Sequence, residues 1–442
     1  MRHVQSIART SGLIAALCFG GAGRTEAALP PGNTVQQWNK IAEDTVLGAG
    51  AIQNEGLLYM SYESAAVYDA VVAIAGEYQP YAARIPAAAG ASVDAAVIEA
   101  AYQVLLHYFP AQAATLTTYH TEALAAVTDG SVAEGVRVGA TAAAAIITLR
   151  EGDGRQPIGT VSTIEDPTCG PGGYRRTPGT GWTLGPQTPW LGEVTPFLLE
   201  KAGQFQAPPP VPLASQQWVE QFDEIKRLGS STSVERTAEQ TTIARFWTAN
   251  VLRQYNLMGR DVITQHGVSV VESARLLAMI NIVAADAQIN IFHEKYSFLF
   301  WRPVTAIDPT SVVNDWCGTL PGVDDGNDLT VEQIGWRPLL NTPNQPEYPG
   351  AHGSITSAVA EVLSEFFGTT GIDVDIHGFD PAGAPGNLTA VRHFDTAEHL
   401  REEIVGARLW GGLHYRQSSE VAVALGEKVA HFSLNHAFKP AN

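Results

Sequence analysis

Apolar residues recur at helical spacing over most of the chain. From about position 35 to 152 the pattern is alanine-rich. There Tyr59, Tyr62, Ala66 and Tyr68-Asp69 fall near one face, and 97–109 and 132–149 behave in the same way. The periodicity breaks between Gly152 and about Leu213. Cys169-Gly-Pro-Gly-Gly, Thr177-Pro-Gly-Thr-Gly and Pro208-Pro-Pro-Val-Pro exclude long helices there. Proline and glycine at that density read as an ordered surface excursion or a linker, and the three prolines 208–210 as structural rather than as a docking motif. Helical patterns return at Ser215 and are interrupted once more, from 308 to 349. No run alternates in polarity as a strand would, and no repeat recurs at a fixed period. The expected fold is therefore all-α: two four-helix-bundle-like halves with long Gly/Pro-rich loops. An N-terminal helical region (28–151), a connecting segment (152–213) and a C-terminal helical region (214–442) follow from the same pattern.

Residues 1–27 stand apart. Arg2 and Arg9 give a positive start, 12–21 is a short apolar stretch, and Thr25-Glu26-Ala27 offers a small-x-small cleavage site. The expectation is an export signal cut near Ala27 and a secreted or periplasmic protein. A membrane-spanning helix needs about 20 apolar residues, and no continuous apolar run reaches that length; the best later one, 139–149, is alanine-rich. The whole chain carries 27 basic and 45 acidic side chains, a formal charge of −18. Loss of 1–27 leaves 24 basic against 44 acidic groups, or −20. So acidic a chain is a poor partner for nucleic acid or an anionic membrane surface, because both ask for a basic face. Its 45% hydrophobic content excludes intrinsic disorder. Cys169 and Cys317 would remain after cleavage, as one disulfide or as two thiols.

An acidic chain can still bind an anion where local cations outweigh the global field, and three C-terminal segments gather such cations with histidines. In His293-Glu-Lys295-Tyr-Ser-Phe-Leu-Phe-Trp-Arg302-Pro303, Lys295 and Arg302 are seven apart. On one helix that spacing returns to nearly the same face, and Pro303 would end it with the guanidinium at its terminus. In Glu347-Tyr348-Pro349-Gly350-Ala351-His352-Gly353-Ser354, small residues precede a helix striped by Ala358, Val359, Val362, Leu363 and Phe366. Backbone N–H groups converging at a helix start make an anion site, with His352 at its edge. In Arg408-Leu-Trp410-Gly411-Gly412-Leu413-His414, a straight helix would aim Arg408 and His414 roughly 120° apart. The glycine pair offers the break that turns both to one place. Each segment alone is commonplace.

Together, in this order, they resemble the vanadium-dependent haloperoxidases and the related type-2 phosphatidic acid phosphatases. The motifs are a lysine, six residues and Arg-Pro (Lys295, Arg302-Pro303); Pro-Ser-Gly-His, here Pro349-Gly350-Ala351-His352; and an arginine, five residues and a histidine (Arg408, His414). Phe-Trp-Arg-Pro-Val-Thr-Ala-Ile (300–307) and Trp-Gly-Gly-Leu-His-Tyr (410–415) are similar to the bacterial haloperoxidase branch in particular. The resemblance covers roughly 280–430. Two positions depart from it: the motif serine is Gly350 and the motif glycine is Ala351, so one hydroxyl contact to the oxyanion is lost while the backbone donors remain. The acidic residue that phosphatases often carry four after the last histidine is Ser418 here, which tilts toward haloperoxidase.

The resemblance implies a vanadate cofactor, with which phosphate should compete, held by Lys295, Arg302, Gly350, Ala351 and Arg408, with His414 ligating vanadium axially. It implies His352 as the group that takes a proton from hydrogen peroxide and Lys295 as the one that polarises the peroxide. The products would be a hypohalous-acid equivalent from halide and then a halogenated small organic acceptor. The alternatives are an exported acid phosphatase using His414 as nucleophile through a phosphohistidine, or a helical oxyanion-binding protein without turnover. Broad apolar faces in 28–151 would suit a homodimer. Asp286 and Glu294 read as orienting groups for the cations or as helix-surface residues. His293, two from Lys295, is expected not to be catalytic. His393 and His399 line an entrance or cap a helix that begins near Asp395, where Asp395 and Glu398 have capping-box spacing.

Overall fold

A side chain able to accept a backbone N–H stands at the start of most helices, and this sets the element boundaries. Asn33, Ser92, Ser131, Ser215, Thr237, Asn250, Ser269 and Thr396 each cap a helix in this way. The helices are α1 (Thr34–Gly48), α2 (Gln53–Ala75), α3 (Val93–Tyr108), α4 (Ala113–Ala126), α5 (Val132–Leu149), α6 (Gln216–Leu228), α7 (Ala238–Phe246), α8 (Val251–His266), α9 (Val270–Phe298), α10 (Pro303–Ile307) and α11 (Ala351–Phe367). A hairpin of β1 (Gly371–Gly378) and β2 (Ala390–Thr396) follows, then α12 (Ala397–Trp410) and α13 (Arg416–His436). The computed structural model describes residues 28–164, 169–177, 185–311, 317, 325–380, 382 and 387–441; the expected signal in 1–27 lies outside the described residues.

Helices α1, α2, α3 and α5 pack together, as do α9, α11, α12 and α13, and α2 against α9 joins the two groups through one continuous apolar core. α11 and α13 approach so closely that a Cβ on Gly426 would lie 2.1 Å from the Ser354 carbonyl oxygen; only glycine fits there. α9 is long and apolar enough to cross a bilayer, but 94% of its most apolar stretch is buried among the other helices, so it is a core helix. The hairpin corrects the expectation of no strands. Ile372, Val374 and Ile376 point inward while Asp373 and Asp375 alternate outward, and β1 pairs antiparallel with β2. It also moves the start of α12: Asp395 lies within β2, and Thr396, the last residue of that strand, caps the helix by accepting from His399 N–H. His399 is exposed, and His393 is exposed beside Asp375 and Asp395, so neither ring reaches the cation-rich segments.

The Gly/Pro-rich segment is not a loose linker. Asp286, Asn290 and Glu294 recur at four-residue spacing on α9 and hold it along one edge. Asp286 accepts from the N–H groups of Phe197, Leu198 and Leu199 at 2.6, 2.7 and 3.1 Å. Asn290 bonds both backbone groups of Phe205, and Glu294 accepts from Ala207 N–H at 2.7 Å. These two acids therefore serve the segment rather than the cations, which corrects both earlier readings. His293 meets the Gly192 carbonyl at 3.1 Å and stays outside the cationic cluster. Cys169 and Cys317 are joined as a disulfide, with Cα atoms 5.6 Å apart.

Candidate oxyanion site

Lys295 sits in the last turn of α9, fully buried. Its ammonium donates to the carbonyls of Pro346 and Glu347 at 2.8 and 3.1 Å. The helix does not continue to Arg302. Leu299 adopts φ 48°, and Phe300 and Trp301 run extended against Gly172 and Gly173. Pro303 then opens α10 instead of ending α9, as its fixed φ favours at a first helical position. Arg302 reaches the site from this extended link. Its Nε donates to Gln345 O at 2.8 Å, and Nη1 to Leu413 O at 2.9 Å and to His414 Nε2 at 3.0 Å. Nη2 has no partner although it is buried.

The 340s loop supplies the facing wall. Glu347 N–H pairs with Phe300 O, Tyr348 OH donates to Pro208 O, and the Tyr348-Pro349 peptide is cis. Gly350 then caps α11, and Ala351 and His352 form its first turn. Arg408 projects from the last turn of α12. After it, Gly412 at φ 73° reverses the chain, so that the Leu413 and His414 N–H groups both reach the Arg408 carbonyl. The break inferred from Gly411-Gly412 is thus the one observed, and it brings His414 to Arg302.

Lys295, Arg302, Arg408 and His414 are 0, 0, 3 and 3% exposed. Among the described residues no carboxylate lies within 4.0 Å of any of the three cations. Burial, reinforced by Arg302, pulls the Arg408 guanidinium down to about 9; burial pulls Arg302 down to about 10 and the Lys295 ammonium well below its ordinary value. Both histidines are held neutral, far below the ordinary imidazole range, first by desolvation and then by the same three cations. Every one of these groups therefore feels the others. Orphaned N–H groups on Arg302 (Nη2) and Arg408 (Nε) add an unmet demand for an acceptor. An anion with several oxygens meets it.

Glu347 has no role in the sequence reading, although it stands beside the motif. Its Oε1 accepts from His414 Nδ1 at 2.9 Å and from Tyr415 N–H at 3.0 Å. Because a guanidinium can only donate, the Arg302 contact makes Nε2 the acceptor and puts the imidazole proton on Nδ1, facing Glu347. The only signal in the sequence was a single acid next to a small-residue turn.

Comparison with known proteins matches residues 275–442 to the VCPO second helical-bundle domain. The vanadium chloroperoxidase of Curvularia inaequalis is 24% identical over 53% of this chain and 46% of its own, so the chain spans about half the length of that relative. A crystal structure titled the first bacterial vanadium-dependent iodoperoxidase superposes with a TM-score of 0.73 at 20% identity, covering 94% of this chain and all of that one. A holo-type bacterial vanadium-dependent chloroperoxidase gives 0.66 at 17% identity over 93 and 99% of the two chains. At these identities the structural likenesses establish the fold.

Proposed function

Since the chain belongs, through residues 275–442, to the vanadium-dependent haloperoxidase family, we propose that it is a vanadate-dependent haloperoxidase oxidising halide with hydrogen peroxide to a hypohalous-acid equivalent. The observation that carries this reading is the trio of buried cations without carboxylate partners, two of them with orphaned N–H groups, around an imidazole whose Nε2 is an acceptor. The donor set fits a tetrahedral oxyanion of about two charges. Lys295, Arg302 and Arg408 would hold its oxygens together with the Ala351 backbone N–H, and His414 Nε2 would be a ligand to it; the Gly350 N–H, expected to share in this cradle, is instead donated to the Ser418 carbonyl at 3.1 Å. When bound, vanadate supplies a Lewis acid on which hydrogen peroxide becomes reactive toward halide.

The chain's own groups do the rest. With His414 Nε2 given over to the oxyanion, Arg302 Nη1 would release that nitrogen and keep its bond to Leu413 O. His352 lies partly open at the start of α11 and is neutral, so it can take the proton that hydrogen peroxide gives up on binding. Lys295 spends two hydrogens on carbonyls and keeps a third to polarise the peroxide. A small organic acceptor then takes the halogen, and phosphate competes for the cradle. Export to an oxidising compartment agrees with the Cys169–Cys317 disulfide.

The test is bromination of a phenol-red-type dye after addition of vanadate and peroxide. Turnover should require both additions and disappear in His414→Ala. A protein that hydrolyses p-nitrophenyl phosphate but never oxidises bromide is a phosphatase on the same cradle, and this assignment then fails.

A further inference from the structure

Behind His414, on the side away from the cations, lies a small half-open recess. It has about 10 Å³ of room and is walled by Trp218, Phe300 and Ser418 together with Gln221, Glu347 and Tyr415. Three of these residues each carry a buried polar atom without a partner: Glu347 Oε2, Tyr415 OH and Gln221 Nε2. Their residues are 0, 2 and 9% exposed. A buried polar atom left unmet is destabilising, so three on residues around one space point to a ligand. The Gln221 amide is oriented, because its Oε1 accepts from Gln417 N–H at 3.3 Å and leaves Nε2 as donor. Tyr415 carries a phenol hydroxyl, also a donor. One acceptor and two donors suit a molecule that both gives and takes hydrogen bonds. They do not suit a metal cation, which would face an N–H, nor an anion, which would face a carboxylate. The room matches one water, which needs two to four polar partners. Gln221 and Gln417 also line the open groove between α6 and α13, so the space has a route to solvent.

We propose that a single structural water occupies this space, donating to Glu347 Oε2 and accepting from Tyr415 OH and Gln221 Nε2. The water completes the grip on Glu347, whose other oxygen fixes the His414 ring with Nε2 toward the cations. Glu347 and Tyr415 are thus positioning residues for His414, and their bearing on the cofactor rests on the function proposed above.

The experiment is a pair of high-resolution crystal structures, of the unmodified chain and of Tyr415→Phe, with calorimetric titration of both by orthovanadate. The unmodified chain should show one water within hydrogen-bond distance of all three atoms. An empty space, or a coordinated cation, overturns the site. Tyr415→Phe keeps the ring that packs 5.0 Å from Trp218, so it should unfold at a similar temperature. It should lack the water, show the His414–Glu347 contact lengthened or the ring turned, and bind orthovanadate roughly 10-fold more weakly, the low end for loss of an outer partner. Loss of the water with His414 unmoved and affinity unchanged overturns the positioning role. If Tyr415→Phe does not fold, Gln221→Leu carries the same expectations. If the unmodified chain binds no orthovanadate at all, the haloperoxidase assignment fails, while the density and the His414 ring in the two structures still decide this proposal.

Discussion

Gly350 stands where related sites carry a serine, and returning the hydroxyl gives a quantitative test of the cradle. The backbone there has φ −78° and ψ 112°, ordinary for serine. A Cβ would sit 3.4 Å from His414 Nδ1, 3.5 Å from its Cγ and 3.6 Å from Ser418 O, which is van der Waals contact without overlap. Gly350→Ser should therefore fold, with a few tenths of a kcal/mol gained from a better helix cap. A hydrogen bond from the new hydroxyl to a charged oxygen is worth about 1.5–3 kcal/mol, which at 1.4 kcal/mol per decade is about 10- to 100-fold in affinity. Calorimetric titration with orthovanadate should show that gain over the unmodified chain. Gly350→Ala supplies the same Cβ without the hydroxyl and should show none. If Ser binds no tighter than Ala, Gly350 does not face the oxyanion and the placement of the cradle is wrong.

Two further expectations concern buried charge. Arg408 is desolvated beside Arg302 with no acid in reach, so Arg408→Met, which fills the space with an unbranched chain, should leave the anion-free protein about 1–4 kcal/mol more stable. The rise in unfolding temperature that orthovanadate gives the unmodified chain should be lost at the same time; a variant that is both less stable and still protected refutes the assignment. Glu63, far from the cradle on α2, is 2% exposed, and burial pushes its carboxyl up from 4.5 to about 8. The folded chain keeps that proton where the unfolded chain has lost it. Its stabilising effect is therefore complete below pH 4.5 and declines as the pH rises to about 8, by an amount on the order of 4–5 kcal/mol. Glu63→Gln removes this dependence. In urea unfolding it should gain on the unmodified chain between pH 5 and pH 8, and parallel profiles would refute the shift.

The helical character, the Gly/Pro interruption and the three cation-bearing segments were all legible because each is a local pattern. The Gly411-Gly412 break was legible for the same reason. The path from Lys295 to Arg302 was not: the seven-residue spacing fits one helix, yet Leu299 takes a left-handed φ and pairing with Gly172 and Gly173 pulls the next residues straight. The hairpin escaped notice because β1 is eight residues long, and its alternation, Ile372 to Ile376, is brief. Asp286, Asn290 and Glu294 form a visible four-residue stripe, but nothing in it says that the partner is backbone more than 80 positions earlier. Glu347 is the hardest case. Its meaning lies in a contact with His414, 67 positions away, that only the folded chain creates.

The continuity of α9 has a practical corollary. The family boundary at 275 cuts within this helix, five residues past its first residue, Val270, and separates it from α2 and from the segment pinned to Asp286. A fragment beginning at 275 would retain all the cations and both histidines, yet it would bare an oily flank to water and release the strand-like stretch at 172–173 that keeps Arg302 in line. Dissecting this protein into a reactive half and a dispensable half should therefore yield a sticky polypeptide with a slack pocket, and swaps between relatives have better prospects if they exchange single side chains.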